Sequence, residues 1–183
     1  MISTAFIILL CAGCRPDPEG FQHLALTDAV LDWTDAELMI MAGMAWEPSE
    51  AVIEALDHGV VVPIRVTTRT SRHHGWVARF DRDRNHRFEI RYLPLVRSYQ
   101  ITETKTGQQQ SFPRLGMLLD SLAQRQAWST GLGPDEARQG RWQVQIRAEL
   151  DRTRLPSPMR LPVWFDPEWR AVTDWQTWMI DGG

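Results

Sequence analysis

The chain has 183 residues, a formal net charge of −3, 43% hydrophobic and 23% charged residues, 12 Gly and 11 Pro. That length holds one domain rather than two, and the composition excludes collagen-like, coiled-coil and multi-span membrane chains. A near-neutral charge argues against a nucleic-acid binder that works through a basic field, and the 2 Cys, both near the N-terminus, cannot build a disulfide framework.

Residues 1–13 read as a signal peptide. Ala5 to Cys11 is apolar and no charge appears before Arg15. The run is far short of the roughly 20 residues that span a bilayer as a helix, and it fits the h-region of a secretory signal. Ala12 and Gly13 then precede Cys14, an arrangement that resembles the lipobox of bacterial lipoproteins. In that family the signal is cut before the Cys, which carries the lipid, so the resemblance implies lipidation at Cys14. A plain signal peptide, an uncleaved anchor and a redox Cys11-x-x-Cys14 pair are the alternatives. Residues 14–20, which include Arg15-Pro16-Asp17-Pro18-Glu19-Gly20, read as a tether, and 21–183 as a single β-rich globular domain.

Leu24–Trp33 and Glu37–Trp46 are expected as the first two strands, joined at Thr34-Asp35. Ser49 is a suitable N-cap for a helix carrying Val52, Ile53 and Leu56 inward, with Gly59 where a C′ residue is wanted. Val60, Val62, Ile64, Val66 and Thr68 form one face opposite Arg65, Thr67 and Arg69, and Phe88, Ile90 and Tyr92 one opposite Glu89 and Arg91; such alternation marks half-buried antiparallel strands. Asp81–Asn85 reads as a polar turn between two of them. Leu95–Thr104 is expected to be extended, with a turn at Lys105-Thr106-Gly107. A second helix should start near Pro113 and place Leu115, Leu118, Leu119 and Leu122 on one face. Gly131–Gly140 is a loop with one helical turn. Trp142 to Leu150 is the clearest alternating strand, and Val163–Asp166 with Trp169–Trp175 is expected to close the chain as a hairpin. The fold class is α+β: mainly antiparallel β-sheet, sandwich-like or a curved sheet, with two short-to-medium helices.

Candidate sites are few. Asp81, Asp83 and Asn85 occupy the first oxygen-ligand positions of a calcium loop, but His86 stands where that loop needs Gly and Tyr92 where it needs Glu. His73, His74 and His86, with Asp81 or Asp83, are candidates for a zinc-like set across a hairpin. Adjacent His residues on a strand point to opposite faces, which opposes this. Asp151 and Asp166 are candidate paired carboxylates. No nucleophile elbow, zinc-protease motif or phosphate-binding loop is present. The chain has 9 Trp against 2 Tyr, and Trp164, Trp169, Trp175 and Trp178 lie close together. Large aromatics seal cores, and they also serve contact surfaces. Trp175 and Trp178 are the pair expected to be exposed to a partner.

Several blocks in order resemble a bacterial family catalogued as domain of unknown function 4390. They are Glu54-Ala55-Leu56-Asp57-His58-Gly59-Val60, then Arg91-Tyr92-Leu93-Pro94-Leu95-Val96-Arg97-Ser98-Tyr99, the helix Leu115–Leu122, and Glu149-Leu150-Asp151-Arg152-Thr153-Arg154-Leu155-Pro156 followed by Met159-Arg160-Leu161-Pro162. The resemblance implies an exported protein of Gram-negative bacteria and supplies no catalytic residues. The expectation is a non-catalytic, lipid-anchored binding or scaffold module on the periplasmic side of a membrane, with an unknown envelope protein as partner, and with neither cofactor nor nucleic acid. The alternative is a periplasmic enzyme or a small-ligand or metal-binding protein that uses the 73–87 hairpin or the Asp151 region.

Overall fold

The computed structural model describes residues 22–74, 77–157, 163 and 165–182. Residues 1–20, expected as signal and tether and including Cys14, lie outside the described residues, as do Trp164 and the side chains of His73, His74 and Asp81. The chain runs β1 (His23–Trp33), β2 (Leu38–Glu47), α1 (Glu50–Asp57), β3 (Val62–His74), β4 (Val77–Leu93), β5 (Ser98–Glu103), β6 (Gln109–Phe112), α2 (Leu115–Ala123), β7 (Gln126–Ser129), α3 (Pro134–Ala137), β8 (Arg141–Leu150) and β9 (Gln176–Asp181). One sheet has three strands in the order β1-β2-β7, the other six in the order β6-β5-β4-β3-β8-β9. Every pairing is antiparallel. This is the α+β architecture that the alternation predicts.

The core lies between the inward faces of the two sheets. Val62, Ile64 and Val66 of β3 and Trp142, Val144, Ile146 and Ala148 of β8 are buried, as are Leu38, Ile40, Ala42 and Met44 of β2. Period-2 alternation puts these residues on one face of each strand, and burying that face is the main stabilising term. α1 begins as expected, with the Ser49 hydroxyl accepting from the Val52 N–H, and ends before Gly59 at φ +79°, a left-handed conformation that suits glycine. Its far end is tied to the larger sheet by the Tyr99 hydroxyl, which donates to Asp57 at 2.8 Å. Burial, together with that bond, pushes the Tyr99 phenol up to about 12.

Three expectations are corrected. Asp81–Asn85 is not a turn but the middle of β4, which pairs with β3 from Val62↔Ile90 to His74↔Val77. Leu95–Arg97 is not strand but hairpin tip. Pro94 has no N–H for a ladder, Arg97 sits at φ +48°, and Leu95 is fully exposed. Among the described residues the expected hairpin of Val163–Asp166 with Trp169–Trp175 does not form. Pro167–Trp169 forms a one-turn 3₁₀ helix instead, with the Asp166 carboxylate accepting from the Glu168 N–H at 2.9 Å. The closing strand is β9, further on. β6 and β7 also lay outside the sequence reading: at four residues each they are too short for alternation to register.

Candidate functional site

Alternation along β4 separates the residues that the sequence offered for a metal ion. Asp83 and Asn85 lie on the outer face of the larger sheet. There Arg69 donates to both Asp83 oxygens at 2.8 Å, and the Thr67 hydroxyl meets Asn85 at 3.0 Å. The Arg69 guanidinium holds the Asp83 carboxyl below the usual carboxylate range. Arg82 turns the other way and donates to the Gly131 carbonyl and to Glu136, so β4 clasps the loop that leads into α3. His86 also faces inward. Asp83, Asn85 and His86 therefore do not converge, and among the described residues no group of three His, Cys, Asp or Glu is placed to hold a metal ion.

The other candidates are held in local structure. Asp151 is buried; it accepts from the Thr153 hydroxyl at 2.5 Å and lies 3.5 Å from Arg65. Asp166 caps the 3₁₀ turn. Trp175 and Trp178 are both half-buried. Three residues apart in extended chain, they occupy opposite faces rather than one. Trp178 lies across from Val144 and packs on the core. Trp175 lies on the outer face between the guanidinium carbons of Arg69 and Arg147, at 4.7 and 4.8 Å from its ring centre. Such cation–π contacts are worth about 0.5–1 kcal/mol each at exposed sites.

A further feature is a cleft of about 350 Å³ lined by residues of β4, β5, β6, α2 and β7. Its floor is apolar: Trp128 of β7, Phe88 of β4, Ile101 of β5, and Leu118 and Leu122 of α2. Trp128 meets Phe88 and His86 edge-on, at 5.8 and 5.4 Å between ring centres. Its indole N–H donates to the Ala42 carbonyl at 3.2 Å, which fixes the ring. The rim is polar, with Glu103, Arg125 and glutamines 108, 110, 124 and 126. His86 lines the wall. Burial lowers its pKa below 6.5, against the opposing pull of the Ser129 carbonyl and Glu103, while Lys105 and Arg84 push the same way as burial. Its buried Nε2 has no hydrogen-bond partner. Ser121 is the one hydroxyl residue lining the cleft, and among the described residues no hydroxyl or thiol hydrogen-bonds to a histidine. The arrangement offers an apolar seat under hydrogen-bonding groups. It does not offer an activated nucleophile.

The lowered His86 pKa has a consequence for stability. The unfolded chain takes up the proton at about 6.5, the folded chain only at lower pH, so the contribution of neutral His86 is complete above 6.5 and lost as pH falls below it. Denaturant unfolding across that value should show stability rising with pH, and His86→Phe should flatten the rise. An unchanged slope would mean that His86 is not desolvated as described.

The sequence model of domain of unknown function 4390 matches residues 22–179. The chain belongs to this family. The match covers all nine strands up to the middle of β9, and so both sheets and the cleft belong to the family domain. No curated protein and no solved structure matches the chain. The family's description assigns no activity, so the cleft has to be read from its own chemistry. Sequence reading did not find it. The only signal was the crowding of glutamine at 108–110 and at 124 and 126, on two segments that come together only through α2.

Proposed function

We propose that this protein is an exported, non-catalytic binding module of the bacterial cell envelope, tethered through Cys14, which receives its partner in the cleft between the sheets. The cleft carries the reading: its aromatic floor and amide rim suit recognition, while burial disfavours the charged form of its one histidine, to which no hydroxyl or thiol is hydrogen-bonded among the described residues. Export and tethering rest on the apolar run before Ala12-Gly13-Cys14. Among the described residues no helix is long and apolar enough to cross a membrane. Arg15 follows the Cys, in place of the Asp that retains lipoproteins at the inner membrane in enteric bacteria, so the outer membrane is the favoured site.

The tether is tested by growth with labelled palmitate. Wild type should carry label and Cys14→Ala should not; an unlabelled wild type refutes the anchor. A second reading, an enzyme at the 73–87 hairpin or near Asp151, draws no support from Asp83, Asn85 or Asp151, each of which is already engaged in an ion pair or hydrogen bond.

A further inference from the structure

We infer that the cleft takes an extended peptide segment, which adds to the outer edge of β7 and seats one apolar side chain on Trp128. This rests on the binding-module reading above and names its ligand class.

β7 is an edge strand of the smaller sheet. The Thr130 N–H donates to the Leu38 carbonyl at 3.3 Å, just beyond the Met39↔Ser129 pair. Antiparallel ladders alternate bonded and non-bonded pairs. Ile40↔Trp128 and Ala42↔Gln126 are therefore the bonded pairs, and Met41↔Ala127 is a non-bonded one. The N–H and carbonyl of Ala127 thus point away from β2. The outward carbonyl of Ser129 is already taken by the Thr68 hydroxyl at 2.7 Å. Ala127 is exposed and lines the cleft, so its peptide groups are open where Ser129 is covered. An open strand edge is a template for a further strand.

The cleft beside that edge fits the same ligand. Its volume of about 350 Å³ is near the low end for ligand pockets, about 300–1,000 Å³, and has room for an apolar side chain on Trp128. The rim glutamines each present both an amide donor and an amide acceptor, the complement of a peptide backbone. Glu103 and Arg125 balance one another, so the rim selects neither a polyanion nor a polycation. His86 in the cleft wall has a buried Nε2 without a hydrogen-bond partner, where buried polar atoms are normally satisfied.

The test uses the full chain in detergent and a phage-displayed library of random dodecapeptides. Enriched peptides should share an apolar residue at one position. Ala127→Pro removes the outward N–H at an edge position where proline is tolerated, and Gln110→Trp fills the cleft. Each should weaken binding about tenfold or more, equivalent to about 1.4 kcal/mol. N-methylating the peptide at the residue opposite Ala127 should do the same with the protein unaltered, so misfolding of a variant cannot explain the loss. No enrichment, or peptides that bind all forms equally, overturns the inference. If palmitate labels Cys14 while the library returns nothing, only the ligand class falls. If peptides bind the cleft while Cys14 is unlabelled, the tether falls and the peptide site stands.

Discussion

Trp128→Ala should lower the unfolding free energy by about 3–5 kcal/mol, the cost of removing a buried large aromatic. The side chain is 2% exposed and spans the gap between the sheets: it belongs to β7 of the smaller sheet but packs against Phe88 and His86 on β4 of the larger. Truncation leaves a cavity beside the existing cleft and strips the Ala42 carbonyl of its indole donor. Thermal unfolding in a chain of this size shifts by about 2–4 °C per kcal/mol, so a fall of about 6–20 °C is expected. Trp128→Phe separates the two causes. It keeps an aromatic seat but loses the hydrogen bond, and should cost only about 1–2 kcal/mol. If Trp128→Ala melts within about 2 °C of wild type, β7 does not join the sheets as described.

Gly43→Ala should be nearly as damaging, although it adds a single methyl group. Gly43 lies in β2 opposite Thr27. A Cβ there would stand 2.2 Å from the carbonyl oxygen of Ala123 and 2.7 Å from the Thr27 hydroxyl. The first atom is backbone at the end of α2, so no rotamer change relieves the clash. Either the helix end lifts or the β1–β2 pairing gives way. Overpacking of this kind costs about 1–3 kcal/mol, and the rigid partner places this case at the upper end, with a melting fall of about 6–12 °C. Because the residues after α2 form one rim of the cleft, peptide binding should weaken along with stability. Gly116, on the open side of the same helix, is the control: a Cβ there meets nothing within 4 Å. Gly43→Ala melting no lower than Gly116→Ala would contradict the close approach of α2 to β2.

The elements that sequence reading located are those whose burial is periodic. β3 and β8 alternate over five or more inward residues, α1 carries its own cap and terminator, and α2 repeats leucine at helical spacing; each signal is local and is therefore written in consecutive residues. Errors fell where a residue's partner lies far along the chain. Asp83 and Asn85 look like turn residues until Arg69 and Thr67 stand beside them on β3. Leu95–Arg97 is a different case, a local signal overlooked: Pro94 directly before it and the positive φ of Arg97 mark a turn in consecutive residues. Trp175 and Trp178 share a face only if the segment is helical, and pairing with β8 makes the chain a strand from Gln176 onward.

By itself, the sequence determined the α+β class and the family. Hydrophobic period and composition suffice for those, because each depends on residues near one another in the chain. Only the tertiary structure decided the site. The cleft draws its floor from β4, β5, α2 and β7 and its rim from segments on both sides of the helix, and no spacing along the chain encodes that meeting. The three-stranded and six-stranded sheets meet there with α2, whose end lies so close to β2 that position 43 has no room for a Cβ.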